Sequence, residues 1–391
     1  MGFKIYSSTL DICDLNSDGI GKLLQGVPSG RICGIVFYGV DERVEYHALL
    51  SRLKSAVCRS LGRRTPVTLV PQYLLPKGGL SADIYALDGT SDITIRERDG
   101  ICYGLLGGDK GEGKGEGKDK GEDKGEDKGE ESLLFIEGIP ASDFTQSVGV
   151  QSQEVFERLD ATLAECGFAV DDIVRQWNYI GNIVGERDGK QRYQEFNDAR
   201  TRYYAKAAWS NGYPAATGIG ASYEGIIVGC IAFKKSGTCA KAIYPIDNPL
   251  QVAAHVYSKS VLIDNAADAV KSTPKFERAK LIETSHGVCC FVSGTAAIRG
   301  EQSEDASSAR LQTIKTIENI EHLVSPENLV RYGCAPHELK YAQLQAFIKR
   351  AEDYDEVRAV IEQAYPQLPV VYTIADVCRK ELLVEIEGIL I

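Results

Sequence analysis

The chain has 391 residues, of which 43% are hydrophobic and 25% are charged. This composition indicates a globular protein of two or three domains, each able to bury a core, and it excludes disorder of the chain as a whole. The net charge of -11 argues against a broad basic surface for nucleic acid or anionic lipid, although a local pocket can still bind a small anion.

The first third of the chain contains a strand, a helix and further strands in succession. A short β-rich run, ICGIVFYGV, follows Arg31; a helix-like pattern covers His47 to Leu61, and the next β-rich run is TPVTLVPQYLLP. The Asp99-Gly100 turn then separates two strand-like runs, which is the signal of a hairpin.

A low-complexity segment at residues 108–131 repeats a Lys-Gly-Glu/Asp theme and has no apolar side chain to bury. From Asp109 to Glu131 it holds ten acids and six lysines and contributes -4 to the net charge. Because a strand, SLLFIEGI, follows at once, we expect a solvated, disordered insert in a loop between two strands of one sheet. An electrostatic interaction arm is the alternative, and its mixed charges argue against a specific polyelectrolyte partner.

Beyond residue 150 the alternation of helices and strands starts again. We predict the helices Glu154–Cys166, Tyr193–Trp209, Ser307–Leu323 and Tyr354–Ala364, and the strands Ile173–Ile183, Ser222–Phe233, Ala240–Ile246, Ala279–Glu283, Val288–Gly294, Leu339–Arg350, Val370–Ile374 and Leu382–Leu390. The sequence therefore predicts an α+β fold of mixed sheets with helices packed on one face, divided into domains at residues 1–150 and 151–391.

The familiar catalytic signatures are absent from the sequence. The five histidines lack the spacing of a metal site. Gly218, Gly220 and Gly225 approach the pattern of a dinucleotide loop, but their spacing and the strand that follows favour a tight turn at the entry to that strand. The eleven cysteines are scattered and no apolar run approaches the length of a membrane span, so we expect a reducing, cytoplasmic location.

The C-terminal strand carries two glutamates at the period of a β-strand. Glu385 and Glu387 fall on one face, and Val384 and Ile386 fall on the other. A glutamate in so apolar a strand is either exposed or held in a pocket where desolvation raises its pKa and makes it a general acid at neutral pH. Periodicity alone favours the exposed face, and Cys378 fits a small core residue.

The strand VEIEG resembles the closing strand of the RidA (YjgF/YER057c/UK114) superfamily, and seven longer stretches resemble one branch of it, the chorismatases. These stretches are RQWNYIGNI (Arg175–Ile183), YQEFNDAR (Tyr193–Arg200), PAATGIGA (Pro214–Ala221), NPLQVAAHVYS (Asn248–Ser258), FERA (Phe276–Ala279), SGTAAIRGE (Ser293–Glu301) and DVCRKELLVEIEG (Asp376–Gly388). The resemblance implies two RidA-like (chorismate-mutase-like) halves, of which the C-terminal one is catalytic.

This resemblance implies an enzyme that acts on chorismate, a small dicarboxylate, without a metal or organic cofactor. A proton delivered to the enolpyruvyl methylene carbon leads to the release of pyruvate. Glu385 aligns with the catalytic glutamate of the family, and Glu387 is the second candidate or an ionised partner that holds the proton on Glu385. Cys378 resembles the members that form an aromatic product, so we expect 3-hydroxybenzoate, with 4-hydroxybenzoate or a dihydroxycyclohexadiene carboxylate as other products.

Two substrate carboxylates require guanidinium or backbone donors, because paired arginine hydrogen bonds supply both charge and orientation. The candidate substrate-binding residues in or beside the matched stretches are Arg200, Arg278, Arg350, Tyr193, Tyr257, Gly218, Gly294, Thr295 and Ala296. Each arginine could equally be a surface residue, and each tyrosine a core residue with one solvated edge. The glycine-rich segments are expected to let the backbone approach the ligand closely.

Two departures from the family pattern leave other functions open. The stretch Lys259–Thr273 intervenes where the family has a Tyr-Gly and a short loop, and Arg299, Gly300 and Glu301 stand where an apolar residue and a Gly-His are usual. They indicate an altered substrate, a different product or lost activity. An imine or enamine deaminase of the RidA type and a non-catalytic module that binds a small carboxylate are the alternatives. We expect a monomer or small homo-oligomer with no nucleic-acid or membrane partner.

Overall fold

The structure is a computed structural model that describes residues 2–76, 78–88, 93–107, 130–187, 189–235, 242–258, 272–285 and 287–391. The predicted insert at residues 108–131 lies outside the described residues as far as residue 129. Most of the unusual stretch Lys259–Thr273 lies outside them as well, and the predicted strand Ala240–Ile246 is described only from residue 242.

Seven helices and twenty-one strands are found in the described part of the chain. The helices are α1 (Ser17–Leu23), α2 (Tyr46–Leu61), α3 (Val148–Glu165), α4 (Arg192–Tyr204), α5 (Ala309–Val324), α6 (Pro326–Arg331) and α7 (Tyr354–Ala364). The strands are β1 (Gly2–Leu10), β2 (Ile32–Tyr38), β3 (Val67–Val70), β4 (Tyr73–Leu74), β5 (Leu80–Asp88), β6 (Thr94–Arg98), β7 (Ile101–Leu106), β8 (Glu131–Pro140), β9 (Ile173–Gly181), β10 (Glu186–Arg187), β11 (Lys190–Gln191), β12 (Ala215–Ala221), β13 (Ile226–Lys235), β14 (Ile243–Ile246), β15 (Ala279–Thr284), β16 (Gly287–Ala296), β17 (Ile298–Arg299), β18 (Gln302–Ser303), β19 (Tyr341–Ile348), β20 (Val370–Ile374) and β21 (Val384–Leu390).

Three large sheets organise the molecule. Their strand orders are β1-β5-β2-β3, β12-β9-β13-β8-β7-β6 and β14-β15-β16-β21-β19-β20-β4. Each sheet mixes parallel and antiparallel neighbours: β2 and β3, β9 and β12, and β19 and β20 are the parallel pairs. The predicted α+β fold of mixed sheets is therefore confirmed.

Helices cover one face of each sheet, and the opposite faces meet in the centre of the molecule. Helices α3 and α4 pack on the six-stranded sheet, and α5 to α7 pack on the seven-stranded sheet, each over a core of its own. Side chains of all three sheets, among them Tyr85, Trp177 and Phe291, share a central cluster. Because the sheets meet face to face, strands in the middle of a sheet are buried on both faces, as parallel and inter-sheet strands commonly are.

Two predicted helices differ in extent from the observed ones. Helix α3 begins at Val148 rather than at Glu154, after Ser147, whose side chain accepts a hydrogen bond from the Val150 N–H. Helix α4 ends at Tyr204 rather than at Trp209. Trp209 has a φ of 54° and donates its indole N–H to the Tyr204 carbonyl at 2.8 Å, so the chain turns away from the helix axis.

Two predictions about the strands differ from the structure. The run Thr65–Pro76 forms two strands in different sheets, β3 and β4. The predicted turn at Gly218 and Gly220 is wrong, because both residues lie inside β12, which pairs in parallel with β9. A Cβ at Gly220 would lie 2.9 Å from the Asp376 backbone nitrogen, so this glycine permits a close chain approach rather than a turn.

The predicted boundary near residue 150 falls between strands of a single sheet. Strand β8 lies before the boundary and β13 after it, and the two pair along most of their length, from Ile227 with Pro140 to Lys235 with Glu131. The six-stranded sheet therefore draws β6, β7 and β8 from one side of this residue and β9, β12 and β13 from the other.

Candidate active site

A cavity opens where the six-stranded and seven-stranded sheets meet. Its empty space, counted together with the open mouth, is about 740 Å³. It is lined by Gln191, Tyr193, Gln194, Asn197, Ala216, Gly218, Tyr257, Pro274, Phe276, Arg278, Gly294, Ala296, Ile298, Cys378, Arg379, Leu382 and Glu385. Most of the residues predicted to form the site thus come together at one cavity.

Glu385 lies in the centre of the seven-stranded sheet, and its side chain reaches the cavity. Strand β21 is flanked by β16 and β19, with Glu385 opposite Ala296 on one side and Phe347 on the other. The residue is only 5% exposed. The prediction from periodicity that the glutamates are exposed is wrong. The glutamate face of β21 points toward the other sheets, while Val384 and Ile386 pack in the core beneath α5 to α7.

A β-bulge in β16 makes room for the Glu385 carboxyl group. Ser293 and Gly294 together lie opposite Glu387, where the register of β16 and β21 shifts between Val292 and Thr295. A Cβ on Gly294 would lie 2.0 Å from Glu385 Oε1. Any side chain at this position would therefore displace the carboxyl group, so glycine is required by the position of Glu385.

The Ser293 hydroxyl ties the bulge to the neighbouring chain segments. Its Oγ donates to the Glu277 carbonyl at 2.6 Å and accepts from the Ala216 N–H at 2.8 Å. Gly294 donates its own N–H to Thr217 Oγ1 at 3.0 Å. These bonds join β16 to β12 across the two sheets and fix the wall of the cavity.

The surroundings of Glu385 favour the protonated carboxyl group. Burial and the nearby charge of Glu387 raise the pKa of Glu385 to about 8, while Arg278 and Arg175 act in the opposite direction. Glu385 accepts no hydrogen bond from any side chain or backbone group in the described residues. A neutral carboxylic acid that faces a cavity can donate its proton to a bound molecule.

Glu387 points away from the cavity and is fully paired. Its Oε2 accepts from Arg175 Nη2 at 2.7 Å, and its Oε1 accepts from the Trp177 indole N–H at 2.9 Å. The Arg175 and Glu387 side chains are 1% and 3% exposed. The two glutamates of β21 therefore share a face and differ completely in their partners.

Arg278 and Tyr257 form one polar wall of the cavity. Arg278 Nη2 donates to the Tyr257 hydroxyl at 2.5 Å and to the Val252 carbonyl at 2.8 Å. The Arg278 guanidinium also lies 5.4 Å from the centre of the Phe276 ring. These contacts fix the orientation of the guanidinium while it remains at the cavity wall, as a carboxylate-binding arginine requires.

Cys378 and Arg379 also line the cavity. Burial, with the charge of Glu385, raises the pKa of the Cys378 thiol to about 12, so the thiol is neutral. Arg379 Nη1 donates to the Glu301 carbonyl at 2.9 Å, and its guanidinium lies 5.3 Å from the centre of the Tyr257 ring. Arg379 is a second cation at the cavity and was not among the predicted residues.

Tyr193 and Arg200 project from α4 in the same direction. Tyr193 lines the cavity and its ring rests on Gly218, where a Cβ would lie 3.0 Å from Tyr193 Cε2. Burial raises the pKa of Tyr193, and Arg200 acts against this shift. Arg200 itself is buried behind the lining and donates to Asn197 Oδ1 at 2.6 Å. It can therefore influence the cavity through Tyr193 and Asn197.

Besides Arg200, two of the predicted substrate-binding residues do not line the cavity. Arg350 forms a two-bond ion pair with Asp353 before α7, at 2.6 and 2.8 Å, and does not line the cavity. Thr295 is buried and its hydroxyl donates to the Ser293 carbonyl at 2.9 Å. Arg350 therefore lacks the predicted position, because its side chain turns toward the helix instead of the sheet junction.

Four residues that sequence reasoning missed lie within the matched stretches. Arg175 and Trp177 alternate along β9, and this period of two in a buried strand signals that both point to the same face. Asn197 lies four residues after Tyr193 and three before Arg200, which is the spacing of a single helix face. Arg379 follows Cys378 directly, and nothing in its local sequence distinguished it from a surface arginine.

The described residues hold neither a cluster of metal ligands nor a membrane-spanning helix. In the ranges that the structure covers, no three side chains among His, Cys, Asp and Glu come together as a metal site would require. Over the same ranges, no helix combines the length and the apolar character that crossing a bilayer demands.

A family model and the sequence relatives of this chain point to the same protein family. A family model described as Chorismatase FkbO/Hyg5-like, N-terminal, matches residues 116–232. A 3-hydroxybenzoate synthase of Streptomyces hygroscopicus is 30% identical over 259 residues, which cover 64% of this chain and 71% of that protein. A chorismatase of the same organism is 30% identical over 221 residues, which cover 55% of this chain and 60% of that protein.

A solved structure extends this similarity to the whole chain. The crystal structure of a chorismatase matches with a TM-score of 0.69 over 100% of both chains, at 20% sequence identity, and so shares the fold. Together with the sequence relatives, the match confirms the resemblance seen in the seven stretches. The chain belongs to the chorismatase family, and it is an enzyme of that family.

Proposed function

We propose that the chain converts chorismate into pyruvate and an aromatic hydroxybenzoate, with 3-hydroxybenzoate as the main product and Glu385 as the general acid. The observation that carries the proposal is the Glu385 carboxyl group, which is buried, faces the cavity, lacks a hydrogen-bond partner in the described residues and has a pKa of about 8. The names of the relatives support the substrate and the product.

The reaction begins with proton transfer from Glu385 to the methylene carbon of the enolpyruvyl group. This step converts the enol ether into an oxocarbenium ion and leaves Glu385 as a carboxylate. The ring hydroxyl next to the ether then attacks the ether-bearing carbon, whose bond to the pyruvate oxygen breaks, and this gives a protonated epoxide. The bond from the epoxide oxygen to its original ring carbon breaks next, and loss of the ring proton from the other carbon to Glu385 restores the acid and the aromatic ring. The atoms of chorismate are thus divided between the two products and no water is consumed.

The two arginines at the wall match the two carboxylates of the substrate. Arg278 and Arg379 both lie beside Tyr257, with their guanidinium groups 5.7 and 5.3 Å from the centre of its ring. The charge of Arg278 acts on Glu385, and the charge of Arg379 acts on Cys378. The enolpyruvyl carboxylate must lie near the acid that protonates the adjacent carbon. We assign this carboxylate to Arg278, which acts on Glu385, and the ring carboxylate to Arg379.

Cys378 favours the aromatic product by its shape. A thiol with a pKa of about 12 is protonated at neutral pH and is a poor nucleophile. The side chain therefore fills part of the wall where a water molecule would otherwise approach the activated substrate. With water kept out, the ring hydroxyl is the available nucleophile, and hydrolysis to a dihydroxycyclohexadiene carboxylate is suppressed.

The proposal is tested with the purified chain and chorismate in oxygen-labelled water. Pyruvate release is followed with a coupled dehydrogenase. The aromatic product is separated by chromatography, and its mass and oxygen label are measured by mass spectrometry. We expect equal amounts of pyruvate and 3-hydroxybenzoate, with no label in the hydroxybenzoate. Turnover no faster than the spontaneous breakdown of chorismate in buffer would contradict the proposal, and a dihydroxycyclohexadiene carboxylate as the main product, labelled or not, would replace the assigned reaction with hydrolysis.

A further inference from the structure

We propose that Arg175, which lies outside the cavity, is a positioning residue that decides which carboxyl group of β21 holds the catalytic proton. It keeps Glu387 ionised and thereby leaves Glu385 as the neutral acid. This inference rests on the proposed function for its catalytic meaning, but the distribution of the proton can be measured without turnover.

Two carboxyl groups separated by one residue on the same face of a strand can exchange roles. When such groups interact strongly, a single proton is shared between them, and their surroundings determine where it resides. Strand β21 supplies no distinction of its own, because Glu385 and Glu387 are both buried and both follow an apolar residue. The distinction must come from the strands that face them.

Strand β9 provides this distinction by donating to one carboxyl group only. Arg175 Nη2 and the Trp177 indole N–H donate to the two oxygens of Glu387 at 2.7 and 2.9 Å. Hydrogen bonds to a carboxylate stabilise its charged form. The chain residues described here give Glu385 no comparable donor, so the negative charge belongs on Glu387 and the proton on Glu385.

Arg175 is itself held in place by contacts on both sides. Its Nη2 also donates to Thr217 Oγ1 at 2.8 Å, and its guanidinium lies 4.7 Å from the centre of the Trp177 ring. Thr217 Oγ1 in turn accepts from the N–H of Gly294, the residue that makes room for Glu385. One hydroxyl group thus links the ion pair to the bulge beside the acid.

Other charged and titratable groups face the pair from the remaining elements. Around Glu385 these groups are Arg278, Cys378 and Tyr193, and around Glu387 they are Asp83, Tyr38, Tyr85 and Tyr179. Arg175 is bonded to Glu387 and also lowers the pKa of Glu385, on which Arg278 acts in the same direction. If Arg175 is neutralised, the remaining cation therefore favours the charge on Glu385 and moves the proton to Glu387.

The first experiment compares Arg175→Gln with Arg175→Lys and with the matched control Arg350→Gln, whose arginine pairs with Asp353 away from the cavity. We expect Arg175→Gln to lower kcat on the order of 100-fold, to change KM less than about threefold, and to move the alkaline limb of the pH profile to lower pH. Arg175→Lys should restore part of kcat and the wild-type limb, and the control should leave both unchanged.

A second variant and a spectroscopic readout guard against a merely structural effect. Trp177→Phe removes one donor from Glu387 and should shift the limb in the same direction by a smaller amount. The infrared carbonyl band of protonated Glu385 is obtained by subtracting the spectrum of a Glu385→Gln variant from that of the same protein with Glu385. At neutral pH we expect this band in the wild type and not in Arg175→Gln.

The outcomes separate this inference from the proposed function. If the wild type turns over chorismate and Arg175→Gln keeps the wild-type pH profile and the Glu385 band, the inference is wrong and the proposed function stands. If the wild type shows no turnover, the proposed function fails, and the infrared band still decides where the proton lies. A fall in kcat without any shift of the limb or loss of the band would also overturn the inference.

Discussion

Two buried glutamates in the middle of strands show how similar burial can serve different purposes. Glu137 on β8 is 1% exposed and Glu385 on β21 is 5% exposed, and burial raises the pKa of both. Glu137 accepts from Lys54 Nζ at 2.5 Å, from the Cys102 N–H at 2.8 Å and from the Val67 N–H at 2.9 Å. Glu385 accepts no hydrogen bond from the described chain and faces a cavity.

We infer that completeness of hydrogen bonding, rather than burial, distinguishes Glu137 from Glu385, the general acid that we propose. A carboxylate with three donors is held in place and joins α2, β3 and β7 to β8, so its partners offset the cost of burying it. A carboxyl group without donors keeps its proton and remains free to give it to a ligand. The following predictions test this contrast, from the largest expected effect to the smallest.

The glutamine variants of the two residues should have opposite consequences. Glu385→Gln keeps the shape but removes the proton, so we expect kcat to fall on the order of 10³-fold with thermal stability at neutral pH no lower than that of the wild type. Glu137→Gln weakens the bonds to Lys54 and two backbone N–H groups, so we expect a loss of about 1–3 kcal/mol in the free energy of unfolding with kcat near the wild-type value. Turnover assays and urea unfolding measure the two effects.

The contrast between Glu385 and Glu137 would be wrong if either glutamine variant showed the effect expected of the other. An active Glu385→Gln enzyme would reassign the acid, with Glu387 next to be tested. An inactive but stable Glu137→Gln enzyme would show that a fully bonded carboxylate can also act on the reaction.

The space around Glu385 should matter as much as its proton. In Gly294→Ala the new Cβ would meet Glu385 Oε1, which lies 2.0 Å from its ideal position. The carboxyl group must then move, and because such displacement misaligns the proton with the substrate, we expect kcat to fall on the order of 100-fold. Gly30→Ala is the control, since a Cβ there meets no atom within 4 Å. Wild-type kcat in Gly294→Ala would show that the bulge does not position the acid.

The same environment predicts how stability and activity depend on pH. The pKa of Glu385 is raised from 4.5 to about 8 in the folded state, so between these values the folded chain binds more protons than the unfolded chain. The contribution of Glu385 to stability is therefore complete below pH 4.5 and is lost as the pH rises toward 8. Activity should fall over the upper part of this range, as the acid ionises.

Thermal unfolding across this pH range checks the linkage. We expect the melting temperature of the wild type to decline with pH more steeply than that of Glu385→Gln, which carries no titrating group at this position. Parallel curves for the two proteins would show that Glu385 does not titrate with a raised pKa.

The sequence pattern predicted the helices and strands of the second half better than the contacts between them. Helix α7 and strand β20 match their predicted bounds, because each shows one clear period. Strand β12 was missed because its glycines and alanines carry no period, and its place depends on β9 and on the Tyr193 ring. Such packing is a property of the assembled sheets.

The site could be predicted in part for the same reason. The resemblance identified Glu385, Arg278 and Tyr257, whereas periodicity alone favoured an exposed glutamate. The contact between Arg175 and Glu387 joins residues 212 positions apart in the chain, and no local pattern contains that information. Arg350 was selected because it lies beside a matched stretch, but its ion pair with Asp353 holds it away from the cavity.

The smallest expected effect concerns the choice of product. Cys378→Ala removes a neutral sulfur atom from the wall beside Glu385 and opens space for a water molecule near the activated substrate. Because the acid is unaffected, pyruvate release should stay within about threefold of the wild type, since the side chain contributes shape rather than proton transfer. The share of dihydroxycyclohexadiene carboxylate among the products should rise, as measured by chromatography in labelled water. Cys58→Ala, which alters a thiol far from this cavity, should leave the product ratio unchanged. An unchanged ratio in Cys378→Ala would show that water is excluded by the rest of the wall, in which case Leu382 and Ile298, the apolar residues beside it, become the groups to test.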